Sequence, residues 1–236
     1  MSSVKRCSEW TSDEIIYLDI SKENNYDIRR NDLRHPNLRN IFDILEAVSK
    51  VCFMPITFGG KVRSLEDIRV RLEKGADKIS MNTKPLEEPG FITEGAKEFG
   101  SQCIVVSMDV KIIDGEYKVM SHGGKENTGR NPIEWAKIVE DLGAGEIFLN
   151  SIDRDGAKTG YDIELIYAVS KVMKIPVIAC GGVGEWEHFA EALEKTNADA
   201  VAAANIFQYT DQSVYLAKKF LYEKKFNVRN PDLTIF

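Results

Sequence analysis

Three consecutive strand–helix units of this chain occur twice, and that duplication limits the fold more than any single motif. Gly59-Gly60, closing the apolar run "MPITFGG" (54–60), recur 122 residues later as Gly181-Gly182, closing "IPVIACGG" (175–182). A helical stretch containing "LEK" follows each pair, and Ala76-Asp77 then recur as Ala198-Asp199, again 122 residues on. The run before the first pair, "EIIYLDI" (14–20), corresponds to "EIFLNSI" (146–152), with Asp19 opposite Asp153 or its neighbours.

"KISMNT" (78–83), "CIVVSMDV" (103–110) and "AVAAANIF" (200–207) bring the strand-like runs to seven. Segments such as "SLEDIRVRLEKGA" lie between most of them, apolar at helical intervals and charged elsewhere. Alternating strands and helices give a parallel sheet. Seven strands fit either an open doubly wound sheet or a barrel one strand short, and the repeat selects the barrel. The expectation is an α/β fold, a (β/α)8 TIM-type barrel of duplicated half-barrels, as a single domain over residues 1–236. "CIVVSMDV" opens the second half, and its counterpart in the first half has no match. The barrel is therefore expected to lack its first strand and most of its first helix, about 30 residues at the size of one βα unit. "VKRCSEWTSDE" reads as that helix's end, and one edge each of "EIIYLDI" and "AVAAANIF" is expected to be unpaired.

Composition narrows the partners. A net charge of −6 and a pI near 5.3 argue against nucleic acid and anionic membranes, so an anionic ligand needs local donors. The N-terminus has no hydrophobic leader and no apolar run approaches the roughly 18 residues of a span, which points to the cytoplasm. Cys7, Cys52, Cys103 and Cys180 lack metal-ligand spacing and read as reduced core thiols; no metal or cofactor is expected.

Chemistry in a parallel barrel gathers at the C-terminal ends of the strands. Those ends carry Asp19, Gly59-Gly60-Lys61, Asn82-Thr83, Asp109, Ser151 to Gly156, Gly181 to Gly184 and Ala204-Asn205. A glycine pair before a helix can expose backbone N–H groups to a phosphate, although a tight turn needs glycine anyway. Two such pairs on opposite sides of one mouth suggest a ligand with a phosphate at each end. Asp109 ends an apolar strand, where partial desolvation suits a general acid or base; the plainer alternatives are a helix N-cap or a partner for Lys111. Asp19 and Asp155 are expected to orient substrate hydroxyls or loops. Asp155-Gly156 could equally be a simple turn pair in a solvated loop.

"GADKISMNT", "FGSQCIVVSMDVK", "GAGEIFLNSIDRDGAKTGYD" and "IPVIACGGVG" resemble strands of the cyclase subunit of imidazole glycerol phosphate synthase, from about Asp13 to near residue 208. The resemblance implies a lyase/cyclase of histidine biosynthesis with a glutaminase partner. Ammonia made by the glutaminase crosses the barrel to a ribulosyl aminoimidazole carboxamide nucleotide carrying two phosphates. The products are imidazole glycerol phosphate and aminoimidazole carboxamide ribotide. Carried over by position, Asp109 is the catalytic base. Gly60, Asn82 and Thr83 hold one phosphate, and Asp155, Gly156, Gly182, Ala204 and Asn205 hold the other. Asp19 and Ser151 orient substrate, and Glu14, Lys78 and Glu146 ring the ammonia entrance at the opposite mouth.

Three departures accompany the matches. The family's first-strand aspartate, its general acid, and a ring arginine have no counterpart, which puts activity in doubt. Lys61 stands at a glycine position and Asn205 at a serine position. The stretch "SKENNYDIRRNDLRHPNLRN" is a long charged loop expected over the mouth. Lys61 and this loop resemble a branch whose cyclase-like subunit and glutaminase deliver ammonia to an amidotransferase that makes acetamidino sugars for surface polysaccharide. A non-catalytic barrel scaffold is the third reading.

Overall fold

The computed structural model describes residues 7, 9–21, 41–208 and 213–231. Seven strands run parallel: β1 (Ile15–Leu18), β2 (Ile56–Gly59), β3 (Lys78–Met81), β4 (Ile104–Ile113), β7 (Glu146–Ser151), β8 (Val177–Cys180) and β9 (Ala200–Ala202). They pair in that order. Crossover helices cover the outer face: α1 (Ile41–Ser49), α2 (Leu65–Glu73), α4 (Gly90–Phe99) after the short α3 (Thr83–Glu87), α5 (Pro132–Asp141), α6 (Ile163–Ser170) and α7 (Trp186–Lys195). The C-terminal α8 is Ser213–Glu223.

The sequence repeat is a structural repeat. At the first copy Asp77 accepts a hydrogen bond from the Ile56 N–H (2.8 Å) and donates its own N–H to the Ile56 carbonyl (2.8 Å). At the second, Asp199 brackets Val177 in the same way (2.9 and 3.0 Å). Helices α2 and α7 also start alike with different chemistry. Ser64 and Asp67 form a reciprocal capping box on α2, whereas on α7 the Glu185 N–H donates to the ring of His188 (3.3 Å).

The sheet is curled as a TIM-type barrel. Val105, Phe148 and Ile178 form a small cluster separate from the main core under the helices, and both Ile16 of β1 and Ala202 of β9 pack against it. Residues from the two ends of a flat sheet could not share one cluster. Helix α8 ties the ends together from outside, its Lys218 ammonium donating to the Thr11 carbonyl (2.9 Å) and Asp13 (2.6 Å). Among the described residues no pairing joins β1 to β9, and both strands are less buried than β2, β4 and β8.

Three local expectations change. Strand β4 runs to Ile113 and turns through Asp114 (φ 51) and Gly115 (φ 80) into an antiparallel β5 (Glu116–Ser121), followed by β6 (Glu126–Asn127). Two positive φ values suit the turn of a twisted hairpin, and Asp-Gly is a strong sequence signal for it. "AVAAANIF" contributes only a three-residue strand, and Asn205–Gln208 form a 3-10 turn. The four cysteines are free but half-buried rather than fully in the core. Apart from Ser21, the charged loop 21–40 lies outside the described residues.

Candidate active site

Paired residues in a parallel sheet point to the same face, so register assigns the lumen. Starting from the base of the barrel, one row holds Ile16, Thr57 and Lys78. The next links Leu18, Gly59, Ser80, Val105 and Glu146. A third links Ser107, Phe148, Ile178 and Ala200, and a fourth, at the C-terminal mouth, Asp109, Asn150, Cys180 and Ala202.

Asp109 sits within β4 and neither caps a helix nor pairs with Lys111. Its Oδ1 accepts a hydrogen bond from Asn150 Nδ2 at 3.0 Å. Burial pushes its carboxyl above the ordinary range; the Asn150 bond opposes that rise and the nearby Asp155 charge adds to it. Beside it, burial and the two aspartates push the Cys180 thiol up to about 12, so this cysteine is a neutral thiol at neutral pH.

The stretch "SIDRDG" (151–156) divides its work by residue. Asp153 accepts the Ile112 N–H (2.7 Å) and holds the loop to β4, and Arg154 donates to Thr159 (3.2 Å). Asp155 is exposed, and its side chain makes no hydrogen bond to the described residues. Gly156 (φ 74) is exposed with open space around the Cβ position. Ser151 points the other way: it is 4% exposed, and its hydroxyl lies 3.5 Å from Asp162, the N-cap of α6. Alternation along β7 thus turns Asn150, not Ser151, toward Asp109.

The glycine pairs have a demonstrable packing role. A Cβ on Gly60 would lie 2.3 Å from the Asp19 carbonyl oxygen, and one on Gly182 would lie 2.1 Å from that of Gly160. Both have φ near +100°, which leaves glycine as the residue that fits. Around the first pair, Asn82 donates to the carbonyls of Ser107 and Met120 (both 3.2 Å), and Thr83 accepts the His122 N–H (3.0 Å). Lys61 (φ 55) places its ammonium 3.4 Å from Asp19 and 2.8 Å from Ser21, and Asp19 also accepts the Ser21 hydroxyl (2.6 Å). Beside Gly182, at the other end of the mouth, Ala204 is exposed and Asn205 opens the 3-10 turn.

At the opposite mouth the three separated charges do meet. The Lys78 ammonium reaches Glu14 (2.9 Å) and Glu146 (2.6 Å). Desolvation lowers the lysine's pKa, but the hydrogen bonds and charges of Glu146 and Glu14 outweigh it and the net shift is upward. Two lumen-facing hydroxyls that sequence reading missed share register rows with this ring, Thr57 with Lys78 and Ser80 with Glu146. Thr57 Oγ1 and Ser80 Oγ are buried and lack a hydrogen-bond partner among the described residues. Thr57 was indistinguishable from a strand-forming β-branched residue, and Ser80 from a small core residue; only register turns them inward. Among the described residues no cluster of His, Cys, Asp and Glu could hold a metal ion.

Residues 32–213 match the family model described as "Histidine biosynthesis protein". This chain belongs to the histidine biosynthesis protein family. Within it, the chain is 45% identical over 227 residues to the imidazole glycerol phosphate synthase subunit HisF of Geobacillus kaustophilus, covering 95% of this chain and 86% of that relative. It is 46% identical over 222 residues to the HisF subunit of a Hydrogenobaculum species, covering 94% and 84%. The family membership and the parallel barrel with its half-buried mouth aspartate agree.

Proposed function

We infer that this chain is the cyclase subunit of an imidazole glycerol phosphate synthase, a lyase of histidine biosynthesis working as a single barrel domain. The observation that carries this reading is the near-half identity to two HisF subunits over almost the whole chain. The lumen chemistry supports it. A charged ring at one mouth, the lumen-facing hydroxyls of Thr57 and Ser80 with no partner among the described residues, and Asp109 at the other mouth give the barrel interior a set of polar groups.

Neutral ammonia from a glutaminase subunit would enter past Glu14, Lys78 and Glu146. An ammonium ion would be too costly to desolvate against Val105, Phe148 and Ile178, so the proton is left at the ring. Thr57 and Ser80 would offer the ammonia hydrogen bonds on its way. At the upper mouth Asp109 takes a proton from the nitrogen as it attacks the doubly phosphorylated substrate, and its raised pKa makes it a better base than an exposed carboxylate. Gly60, Asn82 and Thr83 would face one phosphate; Asp155, Gly156, Gly182, Ala204 and Asn205 would face the other end. The general acid is assigned to no residue of this chain. No helix among the described residues is long and apolar enough to cross a membrane, and a cytoplasmic enzyme is the setting this reading needs.

A second reading, ammonia delivery to an amidotransferase making acetamidino sugars, is favoured by one observation: Lys61 is held at the mouth by Asp19 and Ser21, which follow the adjacent strand. Complementation of a strain that lacks its cyclase subunit and requires histidine separates the two. Growth without histidine supports the cyclase, and failure by a well-expressed chain with its glutaminase favours the second reading or a non-catalytic scaffold.

A further inference from the structure

Asn150 holds an unusual position at the mouth. Its Nδ2 donates to Asp109 Oδ1 at 3.0 Å, while its own Oδ1 is buried with no hydrogen-bond partner among the described residues. The amide orientation follows from chemistry, because an ionised carboxylate only accepts and the opposite rotamer would set two oxygens face to face. The orphaned acceptor is therefore forced by the bond to Asp109. Gly181 follows its register partner Cys180, and a Cβ there would come within 3.1 Å of the same oxygen. The strands do not need this side-chain bond to stay together, since β4 and β7 already pair over Val105–Val110 and Glu146–Ser151. A buried acceptor kept unsatisfied beside a reactive carboxylate calls for a donor from outside the protein.

We propose that Asn150 is a positioning residue for Asp109, its N–H occupying Oδ1 so that Oδ2 faces the reacting nitrogen, while its carbonyl oxygen accepts a hydrogen from an N–H or O–H of the bound ligand. The proposal rests on the cyclase reading for the identity of that ligand. Asp109 Oδ2 has no hydrogen bond to the described residues, which leaves it available for proton transfer. The other titratable groups facing the pair are Asp155 in the loop after β7 and the Cys180 thiol on β8. Cys180 stays neutral through the working range, so only Asp155 adds charge.

The test uses the full chain with carboxyl-13C aspartate, titrated by NMR, alongside the pH profile of ammonium-dependent turnover. Asn150→Leu removes the donor at similar volume, Asn150→Asp removes it at nearly identical shape, and Asn150→Thr restores a group that both donates and accepts. The present bond lowers the Asp109 pKa, so its loss should raise the titration midpoint and move the acid limb of kcat/KM to higher pH. The shift should be larger in Asn150→Asp than in Asn150→Leu, with kcat down at least about tenfold in both. Asn150→Thr should return the midpoint toward wild type and recover most of the turnover. An Asp109 titration unchanged in Asn150→Asp, or one equally displaced in Asn150→Thr, overturns the proposal. Should the wild type consume no substrate, the cyclase reading fails, and the carboxyl titration still decides the positioning role.

Discussion

The Lys78 ammonium lies 2.6 Å from Oε1 of Glu146, while Oε2 of the same carboxylate is buried with no hydrogen-bond partner among the described residues. One lysine thus serves two acids, Glu14 and Glu146, and the ring keeps a net negative charge that attracts cations to the entrance. Lys78→Met would leave those acids facing each other unscreened. The expected cost is about 1–3 kcal/mol, below that of a fully buried pair because both partners retain some exposure. Lysine's raised folded pKa means that this stabilisation is full below about pH 10.4 and fades as pH rises through the folded value. Urea unfolding at pH 7 and pH 11 should show the wild-type advantage shrinking. Glutamine-dependent turnover should fall more than ammonium-dependent turnover in the variant, and equal losses would remove the ring from ammonia entry.

Asp109→Asn should lower turnover by about 10²–10⁴-fold, since an amide cannot take up the proton. The same change should raise stability at neutral pH. A folded pKa raised by burial means that the native state holds a proton more tightly than the unfolded chain, so stability drops as pH rises through that value. The variant should therefore melt above wild type at pH 7, and the difference should vanish toward about pH 4, the unfolded value. Calorimetry across that range checks the sign; a variant that melts lower at pH 7 would mean that the carboxylate is net stabilising.

Two glycines at one end of the mouth should respond differently. Gly182→Ala meets a backbone carbonyl at 2.1 Å and should cost more than about 3 kcal/mol, if it folds at all. Gly156→Ala meets nothing within 4 Å and should cost only the left-handed backbone term, about 1–2 kcal/mol. Denaturant midpoints of the two variants read this directly. A ligand phosphate at Gly156 predicts one further difference: Gly156→Ala should weaken substrate binding while leaving the fold intact, and unchanged KM would place that phosphate elsewhere.

Inorganic phosphate should bind at two places in the wild type and raise its melting temperature in a concentration-dependent way. Titration calorimetry with a fitted stoichiometry near one or zero would contradict a substrate anchored at both ends.

Residues whose role depends on local sequence were legible in the chain. The glycine pairs and the Asp77 and Asp199 brackets revealed the duplication because each repeats its own spacing. Asp109 was legible because a carboxylate is rare in an apolar run. Thr57, Ser80 and Asn150 were not, because their importance lies in facing inward, and that face is set by register with neighbouring strands rather than by residue type. Ser151 drew attention as the polar residue before an acidic turn, yet the two-residue period of β7 sends it to Asp162. The hairpin after Asp109 has a local signal, Asp114-Gly115, but it interrupts the parallel strand–helix alternation rather than repeating it.

The most direct test of the cyclase account is isotope tracing with the purified chain, its doubly phosphorylated substrate and 15N-ammonium. The account predicts imidazole glycerol phosphate with 15N in the ring, formed by wild type and reduced at least about a hundredfold in Asp109→Asn. Substrate that binds with its two phosphates held but yields no labelled imidazole product would contradict it.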